Sequence, residues 1–394
     1  MDSMDELEKR AVRRGVVVGA LGMLLVCLLA GWRLLPGYGN HLMTMLKLGQ
    51  IVDTAEREFV GEFDAQMAGD MAAYGMMQAL GDRYSTYLPT DAVAEYEANK
   101  FGETFGVGIQ CIWDKERQSA HVYRVLDGSS ALEQGMQPGD WIASADGVTV
   151  AKDGYEEMIA AIRGEEGTAV RVSVLRDGAA EPLTMELERR RLTQLMAEGE
   201  LLDGGIGLIR IFSFHQGAAE QFRQVYETLQ AQGMEKLVID VRHDSGGLVN
   251  EMCDIADRFL PECDMMIMRR RNGREERRKS GAEQDEIPMA VLVDEQSYSA
   301  AEFFAALMQE YRRAVVVGAQ TTGKERAQNT YHLIDGSAIV LSDQQYLTPG
   351  ERALGETGMT PDILTTLPEG TDFYFMERAE DTQLQAAKDA LADS

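Results

Sequence analysis

Read for the spacing of its apolar positions, the chain changes texture four times. Residues 15–32 (GVVVGALGMLLVCLLAGW) form an uncharged, almost wholly apolar run. From 41 to 100, Met43, Leu46, Ile51, Phe59, Phe63, Met67, Met71, Met76, Met77 and Leu80 recur at helical spacing, which predicts helices. That region contains GDRYSTYLP (81–89), where Pro89 stops one helix and Thr90 or Asp91 can cap the next. From about 105 to 190 short β runs alternate with turns: GVGI (106–109), HVYRVL (121–126), AVRVSVL (169–175) and PLTMELE (182–188), with short helices near 131–134 and 155–162. Beyond 190 strands alternate with helices. IGLIRIF (206–212), KLVIDV (236–241), MAVLV (289–293) and AVVVG (314–318) read as strands, several of them continuous apolar runs of the kind buried on both faces. Helices are predicted at 218–230, 248–260 and 299–311, so this region reads as an α/β domain. The tail beyond 367 reads as acidic helix.

The 394 residues leave room for two or three domains. A hydrophobic fraction of 45% is enough for ordinary cores, so wholesale disorder is excluded. Lys and Arg total 38 against 65 Asp and Glu, a formal charge of −27, which argues against a nucleic-acid partner because phosphate binding needs a basic footprint. Four cysteines without CxxC spacing, five histidines and no HExxH give a zinc site little support, and no metal or other cofactor is expected.

Charge changes the reading of the first apolar run. Lys9, Arg10, Arg13 and Arg14 precede it and Arg33 follows. Its 18 residues would span about 27 Å as a helix, close to the hydrocarbon thickness of a bilayer. A cleaved signal would show a shorter apolar stretch and an A-x-A-like site, and no clear site is present. Residues 15–32 are therefore expected to be a membrane anchor or uncleaved signal, with 1–14 in the cytoplasm and everything after Arg33 outside it. Outward exposure permits a Cys253–Cys263 disulfide, and two free buried thiols remain equally open. RRRNGREERRK (269–279) has an Asn272, Gly273 hairpin signal, so it reads as a solvated ribbon or as a basic rim for acidic substrate segments.

Unusual residues collect at 243–247, 296–300 and 321–328, just past the ends of buried strands, where open α/β sheets gather ligands. Ser299 starts a helix, where free N–H groups favour a developing anion, and Gly246 and Gly247 can expose N–H groups with no side chain in the way. A serine hydroxyl needs a base, and Lys324 can be one if burial keeps its amine neutral. Gln328 cannot titrate but can orient that amine. Taken singly, each has a plainer reading: an N-cap, a solvated loop lysine, a turn. Ser297 competes as nucleophile by residue type, and His215, His243 and His332 suggest a histidine base.

Residues 105–190 resemble a PDZ domain of the circularly permuted kind found in bacterial proteases. GVGI stands in place of the carboxylate-binding loop, SSALEQGMQPGDWI (129–142) in place of SPAxxAGxxxGDxI, and Asp146 with Gly147 forms the DG turn. The resemblance implies that Gly106, Val107, Gly108 and Ile109 receive the terminal carboxylate of a peptide added as a strand.

The whole order of blocks resembles the C-terminal processing peptidases, also called tail-specific proteases. LVIDVRHDSGG (237–247) is similar to LxLDLRxNPGG, VLVDEQSYSAAE (291–302) to VLVNxxSASASE, VVVGAQTTGKERAQ (315–328) to xxVGxxTFGKGxVQ, and YLTPGERALGETGMTPDI (346–363) to the closing YxTPxGxxxxxxGxxPD. GDRYSTYL (81–88) also matches, and the likeness covers roughly 41–365. It implies an α/β core of the crotonase/ClpP-like kind with an inserted β-rich PDZ domain, a helical N-terminal region and an N-terminal transmembrane helix. The divisions are a helical lead at 41–100, PDZ at 105–190, protease at 191–365 and an acidic helical tail at 366–394.

Carried over by position, Ser299 is the nucleophile, Lys324 the base and Gln328 the orienting residue. Lys324 follows Ser299 by 25 residues and Gln328 follows Lys324 by four, the family's intervals, which favours Ser299 over Ser297. The N–H groups of Gly246 and Ala300 would hold the oxyanion. The implied activity is a serine endopeptidase that cuts extracytoplasmic proteins after binding their free C-termini. PDZ movement would gate the site, and the helical lead and tail would form a homodimer. Tyr298, Thr322 and Glu325 depart from the family pattern, and a carboxylate at 325 near Lys324 would favour the charged amine. Those departures keep open a catalytically weak PDZ scaffold. An acyl-CoA enzyme of the crotonase type has no place for the PDZ and lysine motifs.

Overall fold

The computed structural model describes residues 38–100, 103–281 and 284–392. The apolar run 15–32 lies outside the described residues. Among those described, no helix is long and apolar enough to cross a membrane. The chain divides into two compact units, one ending at Gly81 and one running from Asp82.

In the first unit the helical spacing folds into Tyr38–Glu58 and Ala65–Gln78. Asp64 caps the second helix, accepting the Met67 N–H at 2.9 Å. Most of the apolar positions that predicted these helices do not build a core: Met43, Leu46, Ile51, Met67, Met71 and Met76 are exposed, and Met77 is buried.

The second unit opens with strand Thr86–Leu88 and helix Thr90–Lys100. A two-stranded ribbon then pairs Glu103–Gly106 with Arg190–Thr193, where the chain enters and leaves a β-rich module. Its sheet runs in the order Ile109–Asp114, Ser119–Val125, Trp141–Ala145, Ala169–Leu175, Leu183–Glu188, so Ile109–Asp114 is an edge. Val107, Val122, Ile142, Met158, Val172 and Leu187 fill its core.

Six strands form the α/β sheet, in the order Ala197–Leu202, Ile206–Ile211, Lys236–Asp240, Met289–Val293, Val315–Gly318, Ile363–Leu364. The first pair is antiparallel and the rest parallel. Alternation decides which layer each side chain joins. Leu237, Ile239 and Val291 pack with the helices Ala218–Ala231, Val249–Asp257 and Ala300–Glu310. Val238, Ala290, Leu292 and Val317 point to the other face, where helix Thr382–Ala392 lays Leu384, Ala387 and Leu391. That cover is why the strands can be apolar throughout. A second sheet holds Asp264–Arg270 and Glu275–Lys279, joined through Asn272 and Gly273 as the ribbon signal predicts. Its arginines are largely neutralised within the chain, Arg277 by Asp264 at 2.8 Å and Arg269 by Glu275 at 2.7 Å. Cys253 and Cys263 are both free, and burial pushes the Cys253 thiol up to about 12, so it is inert.

Candidate active site

Lys236–Asp240, Met289–Val293 and Val315–Gly318 are parallel neighbours, so the loops leaving their carboxyl ends lie side by side. The middle loop turns sharply at Ser299, whose φ of 59° is unusual for a residue with a side chain. Ser299 is nearly buried, and helix Ala300–Glu310 begins directly after it. Ala300 is the first helical residue, so its N–H has no acceptor within the helix. Gly246 is pressed against this turn. A Cβ on it would fall 2.7 Å from Ala300 N and 2.8 Å from Ser299 Cβ, and its φ of 91° suits glycine alone. Both N–H groups expected to hold an oxyanion thus flank Ser299. The Gly246 N–H is engaged, however: it donates to Asp244 Oδ1 at 2.7 Å.

One carboxylate sews the serine and lysine loops together. Glu302, fully buried, accepts the Ser299 N–H (2.9 Å) and Lys324 N–H (2.7 Å) on Oε2, and the Thr321 hydroxyl (2.8 Å) and Gly323 N–H (3.0 Å) on Oε1. Burial raises its carboxyl pKa above the usual value, against the pull of these four donors. Sequence reasoning assigned it no role, although Ser299-x-x-Glu302 is a legible capping-box spacing.

Ser299, Lys324, Gln328, Gly246, Tyr298 and His215 share one cavity of about 530 Å3. Burial pushes the Lys324 amine below the ordinary lysine range; Asp82 and Glu302 pull the other way and Arg83 adds to the lowering. The amine lies 4.6 Å from the centre of the Tyr84 ring and 5.7 Å from that of Tyr298. Ring faces favour its charged form by about 0.5–2 kcal/mol, less than burial of a lone ammonium costs. Among the described residues no hydrogen bond joins Ser299 Oγ to Lys324 Nζ. Gln328 is also turned aside, its Nε2 donating to Ser342 Oγ and to Arg326 O, both at 2.9 Å. The three residues share the cavity without being linked.

The departures from the family pattern resolve differently. Thr322 donates to Glu295 O at 2.6 Å and adds a tie between loops. Tyr298 walls the lysine. Glu325 is not among the groups acting on Lys324; its Oε2 lies toward Gly355. Ser297 is fully buried and bonded to Val241 O (2.7 Å) and Asp294 Oδ1 (3.1 Å), so it belongs to the scaffold. His243 pairs with Asp294 at 3.1 Å and stacks on Phe373, away from the serine cavity. His332 meets Glu97 at 3.1 Å. His215 alone of the three lines the cavity; burial lowers its pKa, and its Nδ1 is 3.4 Å from Gln194 Oε1. A larger cleft of about 720 Å3 lies beneath the tail, lined by Arg210, Arg242 and Phe373, and has no serine or cysteine in its wall.

In the β-rich module, Val107 O accepts the Ala131 N–H (3.1 Å) and Gly108 O the Leu126 N–H (2.8 Å), which fixes the loop. The N–H groups of Val107 and Gly108 have no acceptor among the described residues. Gly108, with φ of 86°, leaves no room for a side chain: a Cβ would sit 2.1 Å from Ser129 Cβ.

Residues 205–365 match the Peptidase family S41, and residues 121–176 match the PDZ domain. The chain is 30% identical over 321 residues to the carboxyl-terminal-processing protease of Synechocystis sp., covering 80% of this chain and 75% of that protein. It is 27% identical over 333 residues to the carboxy-terminal processing protease CtpA of Bacillus subtilis, covering 84% and 71%. Two solved structures share the fold. The photosystem II D1 C-terminal processing protease matches with a TM-score of 0.51 at 22% identity, over 80% of this chain and 86% of that one. An S41 protease from Bacteroides fragilis gives 0.54 at 18%, over 74% and 82%. With such identity sustained over most of its length, the chain belongs to the carboxyl-terminal-processing serine peptidases of family S41 and carries a PDZ domain.

Proposed function

We propose that this chain is an endopeptidase that binds the free C-terminus of an extracytoplasmic protein on its PDZ domain and cuts the same polypeptide at Ser299. The observation that carries the reading is the convergence of Ser299, a desolvated Lys324 and Gln328 on one cavity. Lys324, as the neutral amine, takes the hydroxyl proton while Oγ attacks the scissile carbonyl. The N–H groups of Ala300 and Gly246 hold the oxyanion. The C–N bond breaks, the leaving amine takes the proton from Lys324, and water then releases the acyl group with Lys324 again as base. Because neither Lys324 nor Gln328 is bonded to Ser299 among the described residues, substrate must draw the three together, as catalytic hydrogen bonds often tighten only in the complex.

The peptide tail adds beside the edge strand Ile109–Asp114, its carboxylate on the Val107 and Gly108 N–H groups. Residues 15–32 anchor the chain with its catalytic part outside the cytoplasm. The exposed apolar positions of the helical lead pair two copies of the chain.

The test uses the full-length chain, Ser299→Ala and Lys324→Met with an unstructured protein ending in a free apolar C-terminus. Cleavage by wild type alone, with tail binding kept in all three, supports the reading. Tail binding with cleavage by none would favour a PDZ scaffold, and near-normal turnover by Lys324→Met would remove the lysine base.

A further inference from the structure

Asp244 is wholly buried two residues ahead of Gly246 and is the group that occupies that glycine's N–H. Its other oxygen, Oδ2, is buried with no hydrogen-bond partner among the described residues. The charged groups around it do not supply one. Asp294, past the end of the next strand, is committed to His243, and Asp240, at the end of its own strand, to Arg242. Arg210, on strand Ile206–Ile211, acts on it from a distance. Burial drives the Asp244 carboxyl well above the usual carboxylate range, Asp294 and Asp240 push the same way, and the Gly246 N–H and Arg210 oppose them. An oxygen without donors, in a dry site among other carboxylates, suits a neutral acid far better than a bare charge.

Resting on the serine-peptidase reading with Gly246 as an oxyanion donor, we propose that Asp244 is a positioning residue that controls that donor. As a neutral acid it holds the Gly246 N–H weakly and releases it to the reacting carbonyl. As a carboxylate it retains the N–H in a charge-assisted bond and places a negative charge beside the developing oxyanion. Ionising Asp244 therefore removes the use of one oxyanion donor, a loss on the order of 10²-fold in kcat.

The sign gives the test. Lys324 must lose its proton and Asp244 must keep its own, so kcat rises with pH through the lysine limb and falls when Asp244 ionises. In Asp244→Asn the side chain accepts the same N–H but never charges. That variant should lose the alkaline fall and exceed wild type above it by roughly 10²-fold, with KM little moved. An alkaline fall identical in both enzymes would overturn the proposal. A second measurement needs no variant: infrared spectra of wild type labelled at the aspartate carboxyl carbons, which excludes buried Glu302. A protonated-acid band persisting at neutral pH is expected, and its absence would overturn the proposal as well. If neither enzyme cleaves at any pH, the peptidase reading of this site fails, and the labelled band alone then decides whether Asp244 holds a proton.

Discussion

Glu302 gathers four donors from the serine and lysine loops on one buried carboxylate, so it fixes how those two loops lie beside each other. Glu302→Gln keeps the shape but turns an amide toward two of those donors. The expected loss is about 2–4 kcal/mol in denaturant unfolding with kcat reduced far more than KM is changed; unaltered stability would refute the staple. Lys324 carries a pH signature. Its folded pKa lies below the unfolded one, so the rising limb of kcat/KM should fall below about pH 10.4. The native state also gains stability as pH rises across that window. Lys324→Met should abolish turnover and flatten that slope of stability against pH, which thermal unfolding across the alkaline range measures. The meeting of Ser299, Lys324 and Gln328 at one cavity was legible because strand ends and spacing carry them. The Glu302 and Asp244 contacts were not, since their partners and burial arise only when separate loops meet, and the direction of the Glu325 side chain is not written in its neighbours.

At the scale of elements, helix Thr382–Ala392 is pinned by a buried charge cluster as well as by its apolar face. Arg242 meets Asp240 at 2.7 Å and Asp381 at 2.8 Å, and also holds Gln383 at 3.0 Å. Burial works to raise the Asp240 carboxyl, but Arg242, with Arg210 behind it, outweighs that and holds the group below its usual range. Asp381→Ala leaves Arg242 with one of its two carboxylates. It should cost about 3 kcal/mol or more by chemical denaturation, and a change under about 0.5 kcal/mol would show the cluster to be dispensable. The helical period of Leu384, Ala387 and Leu391 could be read in advance, but not which sheet face it covers, because its partners lie far back in the chain. The Asn272, Gly273 hairpin was readable for the opposite reason: its pairing is local. The helices of the lead were readable too, though the spacing that predicted them says nothing of what covers their apolar sides.

Across the whole molecule, PDZ and protease meet through an aromatic strap. Phe375 stacks on His121 at 3.8 Å, Tyr374 on Tyr123 at 4.0 Å, and Phe373 on His243 at 4.1 Å, next to Asp244. Arg124 adds an ion pair to Glu198 at 2.6 Å. Block order in the sequence predicted both domains but not this seam, which is assembled from residues distant in the chain. Separate docking and cutting sites predict that amidating a substrate's C-terminus raises KM by roughly 10–100-fold and leaves kcat nearly the same, as expected for losing a charged hydrogen bond; equal KM for acid and amide would remove the PDZ tail site. The proposed chemistry needs Lys324 and Ser299 to act as one pair although they stand unlinked here. A crystal structure of the chain with Ser299 carrying a peptidyl phosphonate tests it directly. The expected result is Lys324 Nζ within about 3.2 Å of Ser299 Oγ and the phosphonate oxygen on the Ala300 and Gly246 N–H groups. A modified Ser299 with Nζ still held between Tyr84 and Tyr298 would contradict it.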